Sequence, residues 1–286
     1  MCPNRTERQR LRPERILVEQ HEYSVGRMKY RSSIRTLVIA TLASLLLASG
    51  SARAQGVVLP LPAQDQQNIT AQLGPNVVGA ALPSNPITDP SVYFPLQQKS
   101  QQFQVVAGPN AGTVQTLGLW QARRPGGRKA WRFQMTPTLA GFMRETDQGD
   151  IIMAALTDSG EGVVVVTTPA NPFVPKGMQP GESRSYTQQV SVNYLDDPSD
   201  QKYSGSINGT YTYIGTYQVT VPAGSFPAIL FRVNCEGKVG PAHTHNTGYN
   251  LFAPGVGMVA MILEEDVTAF WLFNIDSTTG KVLMLK

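Results

Sequence analysis

Few side chains in this sequence are suited to chemistry. His243 and His245 stand two apart and are the only histidines beyond residue 54. On a strand, residues i and i+2 share a face, so the pair could supply two ligands to a metal ion. A third ligand would come from Glu236, Asp266 or Asp196, and no spacing singles one out. That reading makes the chain a metal-dependent hydrolase. The alternative is the polar end of a hairpin, because Gly240-Pro241 precedes the pair and Asn246, Thr247 and Gly248 follow it. Cys235 alternates with Ile229, Phe231 and Val233, which predicts a core-facing, inert thiol rather than a nucleophile paired with either histidine.

Other patterns match a chemistry only formally. Gly255, Gly257 and Ala260 have the spacing of a dinucleotide fingerprint, but a strand follows them and no βαβ unit surrounds them. The carboxylates of Asp196, Asp197 and Asp200 lack the spacing and glycine of a calcium loop and read as a solvated connection. Glu264-Glu265-Asp266 reads as the polar end of a strand. Arg123, Arg124, Arg128 and Lys129 form a basic hairpin tip, a solvated turn or a contact for acidic polymer or lipid headgroups. The serine-hydrolase elbow, the zinc-protease helix motif and the P-loop are absent from the sequence. No catalytic residue and no cofactor is therefore predicted.

The elements that would position these residues are strands. Tyr186, Val190, Val192 and Tyr194 alternate with Thr187, Gln189, Ser191 and Asn193. Tyr211, Tyr213, Tyr217, Val219 and Val221 do the same, with Ile214 the only mismatch. Period two means strands with one apolar and one wet face. Trp131, Phe133 and Met135 alternate with Arg132 and Gln134, and Val163 to Val166 is a continuous apolar run. Breaker residues predict turns at Pro125 to Gly127, Asp158 to Gly160, Asn208-Gly209, Pro222 to Gly224 and Thr279-Gly280. Two hairpins follow: Gly215–Val221 with Ala228–Cys235, and Phe270–Ile275 with Lys281–Leu285. The fold class is all-β and mostly antiparallel, a large curved sheet with few short helices. It would close as a sandwich, or curl into a barrel or half-barrel, to protect its edges.

Charge and hydropathy divide the chain of 286 residues. Of 24 Lys and Arg, residues 1–54 hold ten, and of 20 Asp and Glu they hold four. The rest therefore carries 14 basic and 16 acidic side chains, which removes the electrostatic support for nucleic-acid binding. Residues 28–54 have the three parts of a secretory signal peptide: Lys29, Arg31 and Arg35, then the apolar run Thr36 to Ser49, then Ala52-Arg53-Ala54. The apolar run has 14 residues, and a membrane span needs about 20. Cleavage after Ala54 would deliver a soluble protein to the periplasm or the medium, with no transmembrane segment. Residues 1–27 read as a start assigned too early, with initiation at Met28, or as a cytosolic extension. Residues 55–92 are Pro-rich and linker-like, with one short helix from Ala63 to Leu73 stopped by Gly74-Pro75. Residues 93–286 form the β-rich domain.

Two segments also carry a resemblance. Val221-Pro222-Ala223-Gly224, with Phe226 beyond, is similar to a hairpin of the TapB-like exported bacterial proteins. Ala253-Pro254-Gly255-Val256-Gly257 resembles a second segment of that family. Tyr93-Phe94-Pro95-Leu96 and the Lys176 to Glu182 stretch resemble it more weakly, so the likeness spans roughly residues 93–265. Where the family has a Gly and a Trp after the opening, this chain has Lys99 to Phe103, which predicts a different packing of the first strand. The resemblance implies an exported β-rich domain of unknown function and supplies no catalytic residue.

Together these features predict an exported binding or accessory module of the cell envelope rather than an enzyme. Its partner would be an apolar or lipid-like ligand held on a concave face, with Tyr211, Tyr213, Tyr217, Trp131 and Phe133 either lining that face or forming ordinary core. The rival to that ligand is an envelope protein docked on an exposed sheet edge or on the Pro-rich tail, which would make the chain a structural interaction domain.

Overall fold

The computed structural model describes residues 56–125, 127–269 and 273–285. The signal-peptide and start-site readings lie outside the described residues. Beyond an N-terminal segment the chain is a meander of antiparallel strands: β3 (Lys99–Ala107), β4 (Val114–Arg123), β5 (Lys129–Gln134), β6 (Leu139–Glu145), β7 (Ile151–Asp158) and β8 (Val163–Thr168). It continues through the short β9 (Asn171–Val174) to β10 (Ser183–Tyr194), β11 (Gln201–Val221), β12 (Gly224–Val239), β13 (Ala242–Ala253), β14 (Gly257–Ala269) and β15 (Phe273–Leu285). Apart from β9, which pairs with β7, each strand pairs with its neighbour in sequence. The last then pairs with the first: Leu283 lies opposite Phe103 and Lys281 opposite Val105. The sheet thus closes into an up-and-down barrel with no free edge between β3 and β15. The predicted class stands, and the closure is a full barrel rather than a sandwich or half-barrel.

Alternation decides which side chains fill the lumen. Phe133 on β5 and Phe252 on β13 lie on well-separated strands, yet both contact Phe94 and Phe173 edge to face, with centroids 5.4 to 6.3 Å apart. Only side chains pointing into the barrel could meet this way. Outside, β10 to β13 present Thr187, Gln189, Asn208, Glu236 and His245, and the ladder there is polar.

The Pro-rich stretch is not a free linker. It forms β1 (Val57–Val58), α1 (Ala63–Leu73), β2 (Val78–Ser84) and α2 (Pro90–Tyr93). The helix predicted over Ala63–Leu73 is present with those limits and ends at Gly74, whose φ of 99° suits glycine. Asp65, Ile69 and Leu73 recur every fourth residue and are buried against the outside of the barrel. The 21-residue β11 outruns β10, and β2 takes the vacated place, with Ala81 opposite Tyr217. Proline breaks regular structure, but here α1 still buries an apolar face, whereas Val57 and Val58 of β1 stay exposed.

Two predicted turns are instead strand interior. Asn208-Gly209 lies within β11, where the Tyr186 ring covers Gly209 so closely that a Cβ would fall 2.2 Å from it. Thr279-Gly280 lies within β15, and the second hairpin is instead β14 with β15. A Cβ on Gly280 would sit 2.7 Å from the Gln72 carbonyl oxygen of α1. Both glycines are there for close approach, not for a turn. The hairpin at Pro222-Ala223 forms as predicted, with Val221 opposite Gly224.

Candidate functional site: the barrel lumen

The lumen is stoppered by aromatic rings. Asp89 caps α2 by accepting the Ser91 backbone N–H at 3.0 Å, and this short helix delivers Phe94 into the barrel, fully buried. The turn between β13 and β14 receives it. Gly255 N–H donates to the Val92 carbonyl, and the Val256 carbonyl accepts from Lys99 Nζ at 3.2 Å and from Gln101 Nε2 at 3.3 Å. Gly255 and Gly257 both have positive φ, which explains their place in this turn. Ala253 to Gly257 thus hold the stopper, and Val221 to Gly224 turn the chain and lead Phe226 into the core.

Beside the stopper lies an apolar cavity of about 220 Å³. Phe133, Phe173, Tyr211 and Met258 line its deep part and are buried, whereas Ile207, Cys235, Asn246 and Leu263 are half-buried at its rim. Met135, Met153 and Met261 complete a methionine-rich wall, and thioethers adapt to irregular apolar shapes. Tyr211 donates its hydroxyl to the Phe173 carbonyl, so the phenol presents its ring rather than an open polar group. Burial pushes the Tyr211 hydroxyl well above its usual range and Tyr186 up to about 12. Both stay neutral at ordinary pH.

The predicted lining residues divide. Phe133 and Tyr211 line the cavity. Trp131 packs against the core on the same side as Phe133, and Tyr213 stacks with Phe231 at 5.4 Å. Tyr217 does not belong to the lumen. It lies past a bulge in β11 and donates its hydroxyl to the Leu59 carbonyl under the N-terminal segment.

His243 and His245 share one strand face, as their spacing requires, and that face is the outer one. In register, His245 lies between Glu236 on β12 and Asp266 on β14. Its Nδ1 stands 3.8 Å from Glu236 Oε2, with both side chains largely exposed. Among the described residues no group of three or more His, Cys, Asp and Glu is placed to hold a metal ion. Cys235 lines the cavity on the opposite face, so it makes no pair with either histidine. Burial raises its thiol pKa, which withholds the reactive thiolate. Asp197 accepts from Ser199 in an exposed loop. The Arg124 guanidinium at the basic hairpin tip donates to the Ala154 carbonyl.

Sequence reasoning missed two arrangements. One is a buried ion pair: Arg232 Nη1 lies 2.6 Å from Asp65 Oδ1, which also accepts from the Tyr249 hydroxyl at 2.9 Å. It pins α1 to β12 and β13. The other is Lys281, buried within the barrel. Its only signal in the sequence is a charge inside the otherwise apolar run Lys281 to Leu285.

Among the described residues no helix is long and apolar enough to cross a membrane. No family model matches the chain, and no curated protein matches it. Solved structures do align with it. One is a protein from Bacteroides fragilis described as exported, with a YmcC-like fold (15% identity, TM-score 0.40, covering 68% of this chain and 98% of that one). Another is described as a lipoprotein of Parabacteroides distasonis (13% identity, TM-score 0.35, covering 68% and 98%). A third is the hypothetical lipoprotein YmcC of Escherichia coli (10% identity, TM-score 0.33, covering 89% and 98%).

Proposed function

We propose that this chain is an exported, non-catalytic binding module of the cell envelope that holds an apolar, lipid-like ligand in its barrel lumen. The observation that carries this reading is the apolar cavity, deep against the aromatic stopper and half-exposed at its rim. The polar outer ladder of β10 to β13 supports it. Transmembrane barrels carry the reverse arrangement, apolar outside and polar within. Export rests on the basic start, apolar run and Ala52-Arg53-Ala54 site of the leader.

Gly248 provides the test. It lines the cavity, and a Cβ there would meet nothing closer than the Ile262 carbonyl oxygen at 3.6 Å. Gly248→Leu would therefore fill the cavity without backbone strain. A neutral apolar fluorophore, N-phenyl-1-naphthylamine, should bind the wild-type protein with enhanced emission, and the variant should lose that binding while keeping its thermal midpoint. Equal binding by both proteins, or none by the wild type, rejects the lumen as the site.

A further inference from the structure

One group in the lumen does not fit a purely apolar site. Lys281 lies on the seam where β15 meets β3 and is only 3% exposed. Its register partner on β14 is Met261, a cavity-lining residue. Its Nζ donates to the carbonyl of Met135, another lining residue, at 3.2 Å. Met135 directly follows β5, and β3 and β4 lie between that strand and β15. The side chain therefore reaches across the lumen rather than along the wall.

Among the described residues no carboxylate answers this charge. The ion pairs there are Arg184 with Glu182, Arg232 with Asp65, and His245 with Glu236. A buried ammonium is costly unless an anion compensates it, and burial accordingly lowers the pKa of Lys281. Lys99, which is partly buried, differs. It donates to the Val256 carbonyl and lies 5.1 Å from the Phe94 ring centroid, and neither of these partners lines the cavity. Near the rim, Glu265 pairs in register with the lining residue Asn246 and accepts from the Ser277 hydroxyl at 3.4 Å. It would repel an acid held at the rim.

We infer that Lys281 anchors the carboxylate of a single-chain fatty acid whose tail occupies the apolar cavity. This rests on the lumen being the binding site. The cavity holds about seven groups of water size, at about 30 Å³ each, which suits a medium-length chain near eight carbons. Such a ligand supplies the missing anion and fills the cavity at the same time.

The test compares octanoate with 1-octanol as competitors of bound N-phenyl-1-naphthylamine at neutral pH. Wild-type protein should prefer the acid by about tenfold or more, the margin of a charge-assisted hydrogen bond. Lys281→Met should bind both alike, Lys281→Gln should do the same should the first variant fold poorly, and Lys99→Met should keep the preference. Equal affinity for acid and alcohol in the wild type, or a preference that survives in the Lys281 variants, overturns the anchor while leaving a lumen site. Failure of the fluorophore itself to bind overturns the site and the anchor together.

Discussion

Arg232→Met is the perturbation whose cost can be worked most directly from the structure. Asp65 is 1% exposed, and both of its contacts converge on Oδ1: Arg232 at 2.6 Å and the Tyr249 hydroxyl at 2.9 Å. Its Oδ2 has no hydrogen-bond partner among the described residues. Methionine keeps the apolar stem of the arginine and deletes the charge, leaving a buried carboxylate with one hydroxyl. Breaking a buried pair from one side costs about 3–5 kcal/mol. Arg232 is 31% exposed, so water already shares in its solvation. The expected loss is therefore at the lower limit, about 3 kcal/mol. Because α1 is held to the barrel by this pair together with Ile69 and Leu73, the loss should appear first as detachment of the helix. About 3 kcal/mol is roughly a hundredfold change in the docked ratio. Hydrogen exchange of the Gln66 to Leu73 amides should accelerate by that order, and the urea midpoint should fall. Asp65→Asn should cost much less in the Arg232→Met background than in the wild type, since the buried charge is then removed. A variant within about 0.5 kcal/mol of wild type, or an Asn cost equal in both backgrounds, would refute the latch.

Two further outcomes follow from the same packing. Gly280→Ala should destabilise by about 1–3 kcal/mol, an overpacking cost, because the new methyl meets the Gln72 carbonyl oxygen at 2.7 Å and Ala107 Cβ at 3.1 Å. A thermal midpoint equal to wild type would show that α1 does not press on this strand. Burial also pushes Lys99 down to about 8. Below that pH both folded and unfolded chains hold the proton and the penalty is fully present. Between pH 8 and about 10 the unfolded chain alone keeps it, so stability rises with pH. Lys99→Met should therefore be most favoured over wild type below pH 8 and lose that advantage toward pH 10. Urea midpoints that differ by a constant amount across this window would contradict the burial of the amine.

Local patterns in the sequence were legible where they arise from local causes. The alternation of Tyr186 to Tyr194 and of Tyr211 to Val221 reported true strands, because period two is a property of the strand itself. The limits of α1 were readable because Gly74 and Pro75 stop a helix whatever surrounds it. Asn208-Gly209 and Thr279-Gly280 misled for the converse reason. A glycine that makes a turn and a glycine that makes room look alike in sequence, and only the Tyr186 ring and α1 distinguish them.

The sequence by itself determined an all-β, mostly antiparallel chain. Tertiary structure alone decided that β15 returns to β3, which turns a curved sheet into a barrel and one strand face into a lumen. It also decided that Phe94 stoppers the lumen, that Asp65 meets Arg232 across 167 positions, and that Lys281 points inward with no carboxylate paired to it among the described residues. Periodicity records which residues share a face of one strand. Whether that face becomes an interior, and what meets there, depends on contacts between residues far apart in the chain.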